Sequence, residues 1–416
     1  MPQEQSANRK GHSTETAIMK IYNDIVDAIA EGRVALLSLL DLSSAFDTVD
    51  HEILVRRLST SYGVNGRVLS WIEDYLKGRT QSVSWDCSTS ALRPVLSGVP
   101  QGSVLGPLLF VLYVADVARI IGAHGLSSHA YADDCQIYSS CSPSDSATLR
   151  TAMSDCIGGV KHWMAVNRLS LNSSKTEFMW LSTPRRRHLI SHTALIVEGV
   201  EIAPTTELRL LGVLLDESLS LVGHISSVTR SCYYHLRKIR DIRRYLPTST
   251  VVRLVLALVL ARADYCNSIL LGLPDSQLRR LQSVLNASAR MIYGAGREEH
   301  TTSFLKKLHW LRIPERIIYK RCLLTFRALH DPSCPDYLSS LLHRPANQES
   351  RRHLRSDNRL QLVVPPPAKT PKFGDRSFSR GNPQLWNLLP EDVVNETTAE
   401  SFAKRLKTHL FNISFN

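Results

Sequence analysis

His129-Ala130-Tyr131-Ala132-Asp133-Asp134-Cys135-Gln136-Ile137-Tyr138 is the stretch whose reading decides the fold. Two adjacent acids stand between short runs of strand-forming residues, which predicts a β-hairpin whose tight turn carries Asp133 and Asp134. Neighbouring carboxylates repel, and the arrangement becomes favourable once a divalent cation lies between them and a third acid. A solvated turn is the simpler account of the dipeptide taken alone. Working outward, the run Val34-Ala35-Leu36-Leu37-Ser38-Leu39-Leu40 ends abruptly at Asp41. It reads as a buried strand delivering that acid to its tip, with Ser43 or Ser44 capping a helix after it. Between the two acid-bearing stretches lies Ser97-Gly98-Val99-Pro100-Gln101-Gly102-Ser103-Val104-Leu105-Gly106-Pro107. Its glycines let backbone approach a ligand closely, although a plain turn accounts for them equally well.

A chain of 416 residues implies two or three domains, and an apolar fraction of 43% fits a globular protein. The eight cysteines are scattered without paired spacing, so neither a zinc site nor a disulfide framework follows. No N-terminal apolar segment resembles a signal peptide, and the apolar run Val251 to Ala261 contains Arg253 and is too short to span a bilayer. The expectation is an intracellular protein of cytoplasm and nucleus that does not contact a membrane. Charge separates along the chain: residues 1–180 hold 15 Lys and Arg against 18 Asp and Glu, and residues 181–416 hold 35 against 20. A cationic second half suits a polyanionic partner bound in a salt-dependent way, while ordinary solvated helix faces are the bland account.

Apolar spacing predicts a helix from about Ala17 to Ile29, opened by Ser13 with half a capping box and ended by Gly32. Further helical spacing covers Ile53 to Leu58, Val68 to Leu76, Leu108 to Ile120 and Ala147 to Asn167, and Thr80 to Trp85 alternates as a strand should. Helices are expected at 221–244, 248–270, 275–294 and 300–330. On the first of these, Arg230, Arg237, Arg240 and Arg244 fall on one face. Four guanidinium groups aimed one way suit phosphate contacts along a duplex, against the plainer reading of a solvated face. Val364-Pro365-Pro366-Pro367 is extended and stiff, and Phe402, Leu406 and Leu410 stripe a last helix.

Three of these stretches, in this order, resemble the motifs of reverse transcriptases. Val34 to His51 is similar to motif A, Ser97 to Pro107 to motif B, and the Tyr131-Ala132-Asp133-Asp134 hairpin to motif C. Asn167 to Trp180 resembles motif D, and Leu208 to Asp216 the primer-grip hairpin. The wording is most similar to non-LTR retrotransposons, the LINE elements of the jockey-like lineages. The family has further fingers-like sequence upstream and often an endonuclease domain. The resemblance therefore implies an N-terminally truncated polymerase beginning inside the fingers.

What the resemblance implies is an α+β fold: a right-hand polymerase palm, an antiparallel sheet with helices on one face, followed by a helical thumb. The implied domains are a palm with partial fingers at 1–182, a primer-grip region at 183–222, a thumb at 223–345 and a tail of unknown role at 346–416. The implied function is RNA-directed DNA polymerisation, a two-metal transfer from a deoxynucleoside triphosphate to a primer 3′-hydroxyl. Asp41 and Asp133 would bridge two Mg²⁺ ions, which Mn²⁺ can replace, with Asp134 assisting. Lys175 would be the acid for the leaving pyrophosphate, against the plainer reading of a solvated lysine. Phe46 would pack under the sugar, where its plainer reading is a core aromatic. Gln101 and Gly102 would touch the nucleotide, and Ala132 would leave room for the primer end. Leu211, Gly212 and the four arginines would hold primer and template. The implied partners are an RNA template, a DNA primer, target DNA and deoxynucleotides, with the oligomeric state left open. The alternative is a catalytically inactive remnant acting as a nucleic-acid-binding module.

Overall fold

The computed structural model describes residues 2–172, 175–191, 193–345 and 361–415. Ser173 and Ser174 of the motif D stretch and residues 346–360 of the tail lie outside the described residues. The chain forms two compact units. One comprises Met1–Arg9, Leu36–Trp180 and His188–Thr205; the other comprises Lys10–Ala35, Leu181–Arg187 and Thr206–Asn416.

The first unit is built on a four-stranded sheet of β1 (Val34–Leu40), β2 (Ser127–Tyr131), β3 (Asp134–Cys141) and β4 (Glu177–Leu181), in the order β4-β1-β3-β2. All but one residue of β1 are buried, which is why that strand reads as an unbroken apolar run. β2 and β3 pair antiparallel with Tyr131 opposite Asp134. The turn is thus Ala132-Asp133, one residue earlier than the sequence suggests, and Asp134 is the first paired residue of β3. Ala132 makes this tight closure by taking a left-handed φ of +58°. The helix Ser146–Val166 buries Leu149, Met153, Ile157, Val160 and Met164, the face expected from its spacing.

Other local expectations are corrected. Leu42 and Ser43 stay extended because they pair with Leu171 and Ser170. The helix that follows, His51–Tyr62, is capped instead by the Asp50 carboxylate, which accepts from the Ile53 amide at 2.9 Å. Thr80 to Trp85 is not one strand: Thr80–Gln81 pairs with Arg93–Pro94 and Ser84–Trp85 with Ser88–Thr89, all of it exposed. The helical stretch Leu105–Ala123 is long and apolar enough to cross a membrane by length and composition, a test that a core helix also passes. Here it buries Leu109, Phe110, Val111 and Tyr113 within the first unit.

In the second unit the helix Thr14–Ala30 opens with a complete capping box, Thr16 doing with a hydroxyl what Glu does with a carboxylate. This helix packs on segments far along the chain. The Asn23 side-chain oxygen accepts from the amides of Phe378 and Ser379, and Arg380 pairs with Asp27 and Glu31 at 3.2 and 2.7 Å. Behind them Arg321, wholly buried, donates to the carbonyls of Arg376 and Ser377, and burial pulls its pKa down to about 10. Arg376 in turn donates to the Tyr22 hydroxyl and the Leu219 carbonyl. A hairpin of β5 (Glu207–Leu210) and β6 (Val213–Asp216) leads into the helix Val222–Ile242. The Asp216 carboxylate gathers the Ser218, Ser220 and Leu221 amides, which fixes the chain entering that helix and lowers the carboxyl's pKa despite burial.

Candidate active site

β1 and β3 are neighbours in the sheet, and Asp41 follows the last residue of one while Asp134 opens the other. Asp134 is exposed, yet its carboxyl is raised above the ordinary aspartate value. Partial dehydration is the first cause, and repulsion from Asp133 and then Asp41 adds to it. Residues more than ninety apart in sequence therefore act on one another as charges at one end of the sheet. The Lys175 ammonium lies 3.2 Å from Asp41 Oδ2, an oxygen shielded from solvent that accepts no hydrogen bond. That contact is an ion pair without hydrogen-bond geometry. Lys175 is brought there by its own turn: the Asn172 amide donates to the Asp41 carbonyl and the Lys175 amide to the Asn172 carbonyl.

Asp133 and Asp41 both act on Asp134, and Asp41 offers an oxygen without a donor; carboxylate oxygens are the ligand type that a hard divalent cation takes. Among the described residues, however, no three His, Cys, Asp or Glu side chains are close enough together to hold a metal ion as they stand. The ammonium of Lys175 supplies the positive charge beside Asp41 in this arrangement.

The loop from Ser97 to Gly102 is strapped to the turn at 46–51. Gly98 donates to the Val49 carbonyl and Val99 to that of Phe46, at 2.7 and 2.8 Å. Ser97 Oγ donates to the Asp47 carbonyl, and His51 Nε2 to that of Gly98. Gly98, at φ +89°, lies so close that a Cβ there would stand 2.8 Å from the Asp47 carbonyl oxygen, which only glycine allows. This strapping brings Gln101 to Phe46's loop, where its amide donates to Asp47 Oδ1 at 2.8 Å. Phe46 is half-buried with its ring 4.5 Å from that of Phe110. Gly102, at φ +77°, has open space where a side chain would project. Asp47, an acid one residue past the aromatic, escaped the sequence reading. Its position between Asp41 and Asp50 in one short stretch was the available signal.

In the second unit, Leu211 and Gly212 form the two-residue turn of the β5–β6 hairpin, at φ +43° and +88°. The Tyr265 hydroxyl donates to the Leu211 carbonyl at 2.7 Å, and its ring would lie 3.3 Å from a Cβ on Gly212. Arg230, Arg237, Arg240 and Arg244 are all exposed, the first three on the helix Val222–Ile242 and the last in the turn that follows.

The raised Asp134 carboxyl carries a stability prediction. Its ionised form is less favourable folded than unfolded, so it withdraws stability at neutral pH and restores it as pH falls through its folded pKa. Without divalent ions, Asp134→Asn is expected to unfold at a higher temperature than the wild type at pH 7, the gap closing as the pH is brought down through the acidic range. Scanning calorimetry in a chelator checks this, and an equal gap at all pH values contradicts it.

The family model for reverse transcriptase (RNA-dependent DNA polymerase) matches residues 1–215. The chain is 28% identical over 299 residues to the probable RNA-directed DNA polymerase from transposon X-element of Drosophila melanogaster, covering 70% of this chain and 32% of that one. It is 29% identical over 264 residues to the probable RNA-directed DNA polymerase from transposon BS of the same fly, covering 60% and 28%. Against the RNA-directed DNA polymerase from mobile element jockey of Drosophila funebris it is 27% identical over 236 residues, covering 56% and 25%. The chain thus spans a third or less of the length of these relatives. A solved telomerase from Candida albicans aligns over 76% of this chain and 53% of its own, at 10% identity and a TM-score of 0.36.

Proposed function

Since the chain belongs to the reverse transcriptase (RNA-dependent DNA polymerase) family, we propose that it is the polymerase module of a LINE-like retrotransposon, extending a DNA primer with deoxynucleotides on an RNA template. The observation that carries the reading is the placement of Asp41 and Asp134 at the ends of neighbouring strands, with Asp133 in the turn beside them. Asp41 and Asp133 would hold two Mg²⁺ ions, with Asp134 a looser ligand, and metal bound there would supply the charge that makes a primer 3′-hydroxyl more acidic and offsets that of pyrophosphate.

The remaining roles belong to the chain's own residues. Lys175, an ammonium already beside Asp41, donates a proton to the leaving pyrophosphate. Phe46, braced on Phe110, packs under the sugar and excludes a ribose 2′-hydroxyl. Gln101, held by Asp47, and Gly102, with open space before it, contact the nucleotide. Ala132 leaves room for the primer end beside the acids. The Leu211-Gly212 turn grips the primer, and the four arginines bind the duplex backbone from a thumb. Nicked target DNA supplies the primer, and the reaction takes place within the cell, in cytoplasm and nucleus. RNA-templated primer extension with each deoxynucleotide tests the proposal, and no incorporation at any divalent-ion concentration overturns it.

A second reading, an inactive nucleic-acid-binding module, is favoured by one observation: the Lys175 ammonium stands 3.2 Å from Asp41 Oδ2, where a metal ion would compete with it. Salt-dependent binding to primer-template without extension decides for it. Both readings share a prediction for the arginine face. Replacing Arg230, Arg237, Arg240 and Arg244 with Ala is expected to weaken binding to all sequences alike and to flatten the slope of log affinity against log salt by roughly 3 to 4. Fluorescence anisotropy at several salt concentrations measures it. An unchanged slope removes these residues from the interface.

A further inference from the structure

The first residues of the chain lie along β2. Gln5 bridges Ala130 in parallel, the Ala130 amide donates to the Glu4 carbonyl, and the Ser6 amide donates to the Ala130 carbonyl, both at 2.9 Å. From there the Gln5 side chain, 3% exposed, reaches the turn that carries Asp133. Its Oε1 accepts from the Ala132 amide at 3.1 Å and from the Ala7 amide at 2.9 Å, and its Nε2 donates to the Ala132 carbonyl at 3.4 Å. One side-chain amide thus satisfies both main-chain polar groups of the one residue in the turn held at positive φ. The segment is itself anchored. Ser6 Oγ is 2.9 Å from His129 Nε2, and Arg9 donates to the carbonyls of Pro2, Gln3 and Gln5.

We propose that Gln5 is a positioning residue for Asp133 and Asp134, clamping Ala132 in its left-handed conformation so that both carboxylates stay at the end of the sheet occupied by Asp41. The proposal rests on the reading of these acids as the polymerase site. An alanine prefers other backbone conformations, and the two-residue turn has no glycine or asparagine to make this one comfortable. Releasing the clamp lets the Ala132 peptide rotate, and that rotation displaces the acids immediately after it. Groups that orient metal ligands from outside the ligand set lose about 10- to 100-fold in metal affinity or activity when removed.

The test compares the full chain with Gln5→Met, which keeps the size and removes both hydrogen-bonding groups, with Ala132→Gly, and with the two combined. Mn²⁺ binding is followed by electron paramagnetic resonance, primer extension by kcat and by KM for deoxynucleotide, and folding by thermal unfolding. Gln5→Met is expected to weaken Mn²⁺ binding about tenfold and to lower kcat about tenfold with little change in KM. Glycine at 132 adopts the same φ unaided, so the double variant is expected to recover most of both losses. Wild-type Mn²⁺ binding in Gln5→Met overturns the proposal, and so does a loss that Ala132→Gly leaves unrepaired. Asp41→Asn in the same series separates the two levels. If it extends primers like the wild type, the site reading falls, whereas if it is inactive and Gln5→Met is normal, Gln5 alone is dismissed. The Mn²⁺ measurement reads Gln5 whether or not the chain extends primers.

Discussion

Asp41→Asn and Asp133→Asn each lower RNA-templated primer extension by about a thousandfold or more, equivalent to about 4 kcal/mol of lost transition-state stabilisation. Asparagine keeps the shape of aspartate and removes its charge, so the loss isolates the charge from the packing. Neither residue sits in the core, and Asp41 is one-third exposed at its side chain. Unfolding temperature and primer-template affinity are therefore expected to stay near wild-type values while turnover collapses. Asp41→Asn also releases Lys175 from its ion pair, which leaves the lysine's contribution to stability small, as for other exposed pairs. The two losses do not add in a double variant, because ligands of one site fail together. Extension within tenfold of wild type in either single variant removes that residue from the site.

The acids were legible because each is announced by its own short stretch: a buried strand that stops at Asp41, and an acidic pair between strand formers. What escaped was whatever depends on distance or on backbone choice. The turn slipped by one residue because Ala132 adopts a conformation its type rarely takes. Gln5 reads as one polar residue in a polar segment, and its bonds to Ala132 span 127 positions. Asp50 was passed over as a cap because Ser43 and Ser44 come first, and nothing local reveals that Leu42 and Ser43 are already paired elsewhere. The full capping box at Ser13 went unseen because Thr16 stands where Glu is usual. Among many arginines in the second half, no pattern marks Arg321 as the one wholly enclosed.

The residues from Phe378 onward, which the sequence left without a role, carry the second large effect. Trp386 is 1% exposed and stacks on Phe402 with ring centres 5.6 Å apart; Phe402 stacks on Phe326 at 4.4 Å, and Phe326 on His330 at 4.5 Å. These rings join the helices Ile313–His330, Phe378–Asn387 and Ala399–Phe415 into one core. Trp386→Ala is expected to cost about 3 to 5 kcal/mol, the lost transfer of the indole together with the cavity it leaves. Urea unfolding followed by circular dichroism measures it. A cost below about 1 kcal/mol would mean that this end of the chain is an appendage to the second unit and not part of its core.

The helix Thr14–Ala30 finds its principal partners late: Tyr22 is bonded to Arg376 across 354 positions, and Asn23 to Phe378 across 355. During synthesis this helix leaves the ribosome before Arg376 and Phe378, which will bond to it, have been translated. Closure of that core thus waits for contacts remote along the chain, the kind that fold slowly and leave intermediates open to chaperones. A nascent chain stalled before about residue 376 would leave Tyr22 and Asn23 without these partners, which makes the helix a natural place for folding assistance to act.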